Sequence, residues 1–137
     1  MFRRTYFAAL SMLPFLVACS HSLSHEELQS EYRASISLAS ETEVFLNHRA
    51  GHTYSAQSTQ AHLSYLEKQG ADIDRDLASA SAKPPDLPSL DALKNATRDL
   101  TQTLHDLRSQ TPNAPAQTSS IAHLDSIREH LQADMPR

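Results

Sequence analysis

The sequence predicts an all-α fold, a single up-down-up-down four-helix bundle that follows a short N-terminal export segment. Three observations carry this. Two long segments place apolar or small residues at alternating spacings of three and four, the signature of one continuous seam on a helix. Only two glycines and no tryptophan occur in 137 residues, a composition rich in Ala, Leu, Ser, Gln, Asp and Glu that suits helices with solvated faces better than a sheet. The breaks between the helical segments are short, and short links between long helices force antiparallel hairpins.

Helix one is predicted over about residues 25–49. Ser24, with Glu27 three residues later, reads as a capping box, and Gly51 as the left-handed residue beyond the helix end. Its apolar face runs through Leu28, Tyr32, Ile36, Ala39 and Leu46, with Leu38 and Phe45 beside it, so this helix is expected to touch two neighbours. Helix two, about 54–82, starts from a Thr53 or Ser55 cap and ends ahead of Pro84-Pro85. Its seam is Ala56, Thr59, Leu63, Leu66, Gly70, Ile73, Leu77 and Ala80. Gly70 falls on that seam although a mid-helix glycine costs about 1 kcal/mol relative to alanine. The reading is close helix packing, against a hinge or a small pocket opposite Phe45.

Helix three, about 87–110, takes Asp86 or Ser89 as its cap and tolerates Pro88 in its first turn; its seam is Leu90, Leu93, Thr97, Leu100, Leu104 and Leu107. Residues 111–115 read as a loop. Helix four, about 119–134, begins at Thr118 or Ser119 and buries Ile121, Leu124, Ile127 and Leu131.

The N-terminal segment has a basic start at Arg3 and Arg4, an apolar run from Tyr6 to Val17, and a small residue, Ala18, before Cys19. The run is well short of the roughly 20 residues needed to span a bilayer, and Pro14 breaks its later half. Cys19 is the chain's single cysteine, so an internal disulfide is excluded. Leu16-Val17-Ala18-Cys19 resembles the lipobox of bacterial lipoproteins. That resemblance covers residues 1–20. It implies cleavage between Ala18 and Cys19, lipidation of Cys19 with diacylglycerol and an acylated amino terminus, and, with Ser20 in place of an aspartate, sorting to the outer membrane facing the periplasm. Several acyl chains anchor stably because each buried methylene contributes about 0.8 kcal/mol. A plain secretory signal ending near a cysteine is the competing reading. Arg3-Arg4-Thr5-Tyr6-Phe7 has a faint twin-arginine look, but two basic residues are ordinary in any signal. Residues 1–18 are thus the cleaved signal, 19–24 a lipidated tether, and 25–137 one helical domain.

The precursor carries 12 Lys+Arg against 16 Asp+Glu, and loss of Arg3 and Arg4 leaves 10 against 16. An acidic domain without a basic block argues against nucleic acid and against direct adsorption on anionic lipid. The membrane is then reached only through the anchor. Enzymatic motifs are missing as well: there is no G-x-S-x-G elbow, no glycine-rich phosphate loop and no C-x-x-C-H haem site. Asp72, Asp74 and Asp76 begin like an EF-hand loop, but Leu77 replaces its glycine and Lys83 its glutamate. No cofactor is expected.

Eight histidines are the compositional anomaly. In an up-down-up-down bundle, His48, His52, His62, His105, His123 and His130 fall toward one half, and imidazoles on facing helices could together hold Zn2+, Cu2+ or Ni2+ or titrate as an acid sensor. Against this, these residues flank their seams and form no H-E-x-x-H pair, which reads as surface histidines without a ligand. The functional expectation is a non-enzymatic envelope lipoprotein that works through contacts with another envelope protein or with itself. The alternative is a histidine-based metal-binding or pH-responsive module. Leu38, Val44 and Phe45 on helix one are the candidate interaction surface, with core packing as their competing fate.

Overall fold

The computed structural model describes residues 21–110 and 114–137. Residues 1–20, which hold the expected export segment and Cys19, and residues 111–113 of the expected loop lie outside them. The described chain is a four-helix bundle: α1 (His25–Gly51), α2 (Ala56–Ala78), α3 (Leu87–Ser109) and α4 (Ala114–Asp134), with two short strands, β1 (His21–Leu23) and β2 (Ala80–Ala82), and a 3-10 turn at Pro84–Asp86. No helix among the described residues is long and apolar enough to cross a membrane.

Contacts between the helices establish the topology. Gln60 near the start of α2 donates to the main-chain oxygen of Arg108 at the end of α3. Gln117 in the first turns of α4 donates to the Leu46 oxygen near the end of α1. At the other pole, β1 leads into α1 and pairs in parallel with β2, which follows α2, while His25 meets Arg137 beyond the end of α4. Neighbours α1 and α2, α2 and α3, and α1 and α4 are therefore antiparallel. We call the end carrying β1 and β2 proximal and the opposite end distal.

Helix α1 starts where the capping box predicts: Ser24 Oγ accepts the Glu27 N–H, and Glu27 returns a bond to the Ser24 N–H at 2.7 Å. Its far end differs from expectation. Gly51 closes the helix without a positive φ, and the extended residue His52 ends it by donating its N–H to the Arg49 oxygen. Ser55 caps α2. Asp86 precedes α3, but its side chain makes no cap bond, because its carboxylate is engaged by His25 Nδ1 at 2.9 Å.

Two boundaries are corrected. Helix α2 ends at Ala78, four residues before the predicted stop, and residues 80–82 are extended. The backbone ahead of Pro84 is driven out of the helical region, with Lys83 at ψ 154°. The preceding residues then find a strand partner in residues 21–23, part of the 19–24 segment that the sequence predicts as a lipidated tether. Leu23 and Ala80 are buried there, and Lys94 Nζ donates to the Ala80 oxygen at 2.8 Å. Helix α4 starts at Ala114, earlier than predicted, because Pro115 is acceptable in a first turn where its missing N–H has no helical partner.

The core is a leucine interior built from all four helices. Leu63 and Leu66 of α2, Leu90, Leu93, Leu100 and Leu104 of α3, and Leu124, Ile127 and Leu131 of α4 meet Leu28, Tyr32, Leu38, Ala39 and Leu46 of α1. Hydroxyls occupy several buried positions and are satisfied: Ser35 bonds Thr97 at 3.3 Å across the bundle, and Thr42 donates to the Leu38 oxygen. Burial pushes the Tyr32 phenol up to about 12, and its O–H donates to the Ser89 oxygen at 2.7 Å. Gly70 marks a close approach of α2 to α3. A Cβ there would stand 2.9 Å from Thr101 Oγ1 and 3.4 Å from Leu104 Cδ1, so the glycine serves close packing, as expected, and Phe45 of the competing reading is not among its neighbours.

Candidate functional site

In α1 the positions 41, 45 and 48 recur at helical spacing and form one stripe beside α2, which His52 continues just beyond the helix end. Phe45 on this stripe is half-buried, with its ring 4.3 Å from the His62 ring and 6.1 Å from that of Tyr54. His62 in turn lies 6.1 Å from Tyr65 one turn farther along α2, and its Nε2 is 4.0 Å from Glu41. One turn beyond Phe45, His48 and His52 stack at 4.1 Å and 10°. Their Nδ1 atoms are occupied locally: His48 is hydrogen-bonded to the Tyr54 hydroxyl, and His52 to the His48 main-chain oxygen. The ring pairs other than His48 and His52 are tilted, an arrangement that the aromatic quadrupole favours.

The result is a continuous aromatic patch across the distal half of the α1 and α2 face. Tyr54 and Tyr65 are 38% and 55% exposed, and Val44, one turn before His48, is 67% exposed. The described residues contain four Phe and Tyr side chains, and three of them lie in this patch. Only Tyr32 is spent on the core.

Of the surface expected from the sequence, Val44 and Phe45 stand at the patch. Leu38 does not. It is 2% exposed, packs in the core beside Gly70, and leaves the candidate surface. Tyr54 and Tyr65 were missed. Both lie off the seam of helix two, Tyr65 directly before seam residue Leu66 and Tyr54 in the break, and an off-seam aromatic in a bundle this thin has to face solvent.

The six histidines do not assemble into one donor set. His48, His52 and His62 belong to the patch between α1 and α2. His105 lies in the groove between α2 and α3, where its Nδ1 is 2.9 Å from Glu67, which also binds Arg108. Burial pulls the Glu67 carboxyl upward, but hydrogen bonds from His105 and Arg108 outweigh it and hold the group below the usual carboxylate range. His123 is on α4 facing Asp99 of α3 at 3.1 Å, and His130 is exposed on α4. Helices at different angles around the bundle axis carry these side chains away from one another. Among the described residues no group of three or more His, Cys, Asp or Glu could hold a metal ion.

Asp72, the first of the acidic triplet, is bound by Lys68 at 2.6 Å and Arg75 at 2.9 Å along the surface of α2, and the lysine bond holds its carboxyl below the usual range. That is a solvated ion-pair network. Comparison with protein-family models, curated proteins and solved structures found no match to the chain.

Proposed function

We propose that this chain is a lipid-anchored protein of the bacterial outer membrane that acts without catalysis, by docking a protein partner on its distal aromatic patch. The observation that carries the reading is the placement of Phe45, Tyr54 and Tyr65. A bundle that spends almost no aromatic surface on its core, and collects the rest with His48 and His62 in one partly exposed strip, has the residue types that dominate binding energy at protein interfaces.

The anchoring half of the proposal rests on the lipobox resemblance at Leu16-Val17-Ala18-Cys19 and has a geometric consequence. Only one residue separates Cys19 from β1, whose pairing with β2 fixes His21 to the bundle. An anchor on Cys19 would therefore hold the proximal end within about 7 Å of chain, at about 3.5 Å per residue. Phe45, twenty residues into α1, would project about 30 Å farther out at about 1.5 Å per residue. The patch would then face away from the membrane that holds the protein.

Two measurements test this reading. Palmitate labelling of the full chain should be lost in Cys19→Ser, and persistence of the label would remove the anchor. Photo-crosslinkers placed at Val44 or Tyr65 should capture a discrete adduct in intact cells, whereas one at Arg33 should not. Equal adducts at both ends would remove the patch as the docking surface. Sedimentation of the purified protein separates a second copy of this chain from a different partner.

A further inference from the structure

The distal tip differs from the aromatic face beside it. In residues 44–62 and 104–120 the acidic side chains reduce to Asp106, although the chain as a whole is acidic, and the arginines of these segments are Arg49 and Arg108. Both arginines line a cavity of about 320 Å3 closed by the first turn of α2 and the end of α3, with Ala56, Gln60, Ser109 and Gln110 in its wall. Arg49 also borders a second, adjoining cavity of about 580 Å3 between the end of α1 and the start of α4. Neither cavity has a carboxylate in its wall.

The two guanidinium groups are in different states. Arg108 stands against Glu67 on the α2 side, where its Nη2 donates to Glu67 at 3.4 Å, although its Nε is buried without a hydrogen bond of its own. Arg49 Nη1 is buried and has no hydrogen-bond partner among the described residues. A buried guanidinium nitrogen left unpaired is costly, and native structures satisfy such groups with a protein acceptor, a water or a ligand. Glu67, the carboxylate that meets Arg108, is already engaged by His105 as well.

We propose that the distal tip binds an oxyanion, a carboxylate or phosphate group, on the guanidinium of Arg49. The planar fork of arginine matches either group in two parallel hydrogen bonds. Gln60, Ser109 and Gln110 supply uncharged donors around it, and Arg108 adds positive field from the far wall. A cavity of this size admits one such group with part of the molecule that bears it. The site adjoins the aromatic patch, since His52 and Tyr54 line the second cavity, but it does not rest on the docking reading.

The test is titration of the 15N-labelled full chain in neutral detergent micelles with sodium phosphate and, separately, sodium acetate. Sodium chloride at matched ionic strength is the reference. Saturable shifts of the Arg49 side-chain N–H and of the Ala56 and Gln110 amides are expected, at least several times larger than with chloride. Saturation by phosphate assigns a phosphate-bearing ligand, and saturation by acetate a carboxylate-bearing one. Arg49→Gln should weaken binding about tenfold or more, the size of a lost charge-assisted bond. Arg49→Lys, which keeps the charge without the fork, should weaken it about threefold and carries the test where Arg49→Gln does not fold. Arg33→Gln at the proximal end should leave affinity unchanged. Linear shifts equal to those with chloride would mean a hydrated guanidinium only and overturn the proposal, as would unaltered affinity in both Arg49 variants or an equal loss in Arg33→Gln.

Discussion

The proximal and distal ends of the bundle are built by opposite rules. At the proximal end every element is tied to another: a capping box opens α1, β1 pairs with β2, Lys94 holds the Ala80 carbonyl, Tyr32 holds the Ser89 carbonyl, and His25 joins Asp86 to Arg137. At the distal end aromatic rings are half exposed, α1 ends on an extended histidine, and a buried guanidinium nitrogen is unpaired. Groups that could have been buried or paired for stability are left available for contact. The contrast teaches which end the sequence commits to holding the fold and which carries the surface on which docking is proposed.

The largest effects should therefore be proximal or central. Tyr32→Ala removes a fully buried ring and is expected to cost about 3 to 5 kcal/mol in urea denaturation followed by circular dichroism. Tyr32→Phe, which removes only the bond to Ser89, should cost about 1 kcal/mol. A loss below 1 kcal/mol for the alanine variant would break the comparison at its strongest point. Next in size is Gly70. Leucine there must enter the space held by Thr101, Leu104 and Leu38, for an expected loss of about 1 to 3 kcal/mol. Gly70→Ala sets a helix-propensity gain of about 1 kcal/mol against displacement of Thr101 Oγ1 and should lie near wild type. Adding Thr101→Ala should release that gain, and a strictly additive double mutant would show that the close approach does not matter.

What the sequence conveys follows the same division. The seam of α3 is readable because every position but Thr97 is a leucine, and every predicted seam residue there is buried; that of α2 has leucine only at 63, 66 and 77 and is readable from its spacing. In α1 the buried line is Leu28, Tyr32, Ser35, Ala39, Thr42 and Leu46, a regular alternation of four and three. Ser35 and Thr42 hide it, because hydroxyls satisfied inside the core look like surface residues in a linear reading, and Ile36 draws the eye to a half-buried neighbour. The parallel pairing of β1 with β2 was illegible for another reason. It joins segments some 60 residues apart, each only three residues long, and neither has a strand period to detect. The candidate patch was half legible: Phe45 and Val44 lie on a recognisable helix, while Tyr54 meets His48 only because the chain turns between α1 and α2.

Smaller effects sharpen the boundary between the two ends. Leu23→Ala empties the apolar anchor of β1 and should cost about 2 kcal/mol, with hydrogen exchange accelerating first at Ala80 and Ala82. Tyr54→Ala and Tyr65→Ala should each change stability by no more than about 0.5 kcal/mol, as exposed positions do. The crosslinked adduct at Val44 should nevertheless disappear in that pair. A variant that unfolds instead would make the patch a piece of the core.

The subtlest difference between the ends is in their response to pH. Both ring nitrogens of His25 face oxygens, Asp86 Oδ1 at 2.9 Å and the Arg137 main-chain oxygen at 3.2 Å, and only the doubly protonated ring donates to both. The hydrogen bond to Asp86 is the main cause that raises the pKa of His25 above its ordinary value of 6.5; desolvation opposes it, while the Asp86 and Glu26 charges and the Arg137 oxygen add to it. Because the folded value exceeds the unfolded one, the stabilising contribution is complete below pH 6.5 and is lost as pH rises through the folded pKa. Thermal melts of the wild type should therefore show a fall in stability on going upward from about pH 6.5. His25→Asn and Asp86→Asn should each flatten that fall and converge on the wild type at alkaline pH. Glu27 works in the opposite window: its bonds with Ser24 lower its pKa, so its contribution is present above 4.5 and fades on acidification. If His25→Asn kept the full slope above pH 6.5, the clasp of His25 on Asp86 and Arg137 would not be the source of that pH dependence.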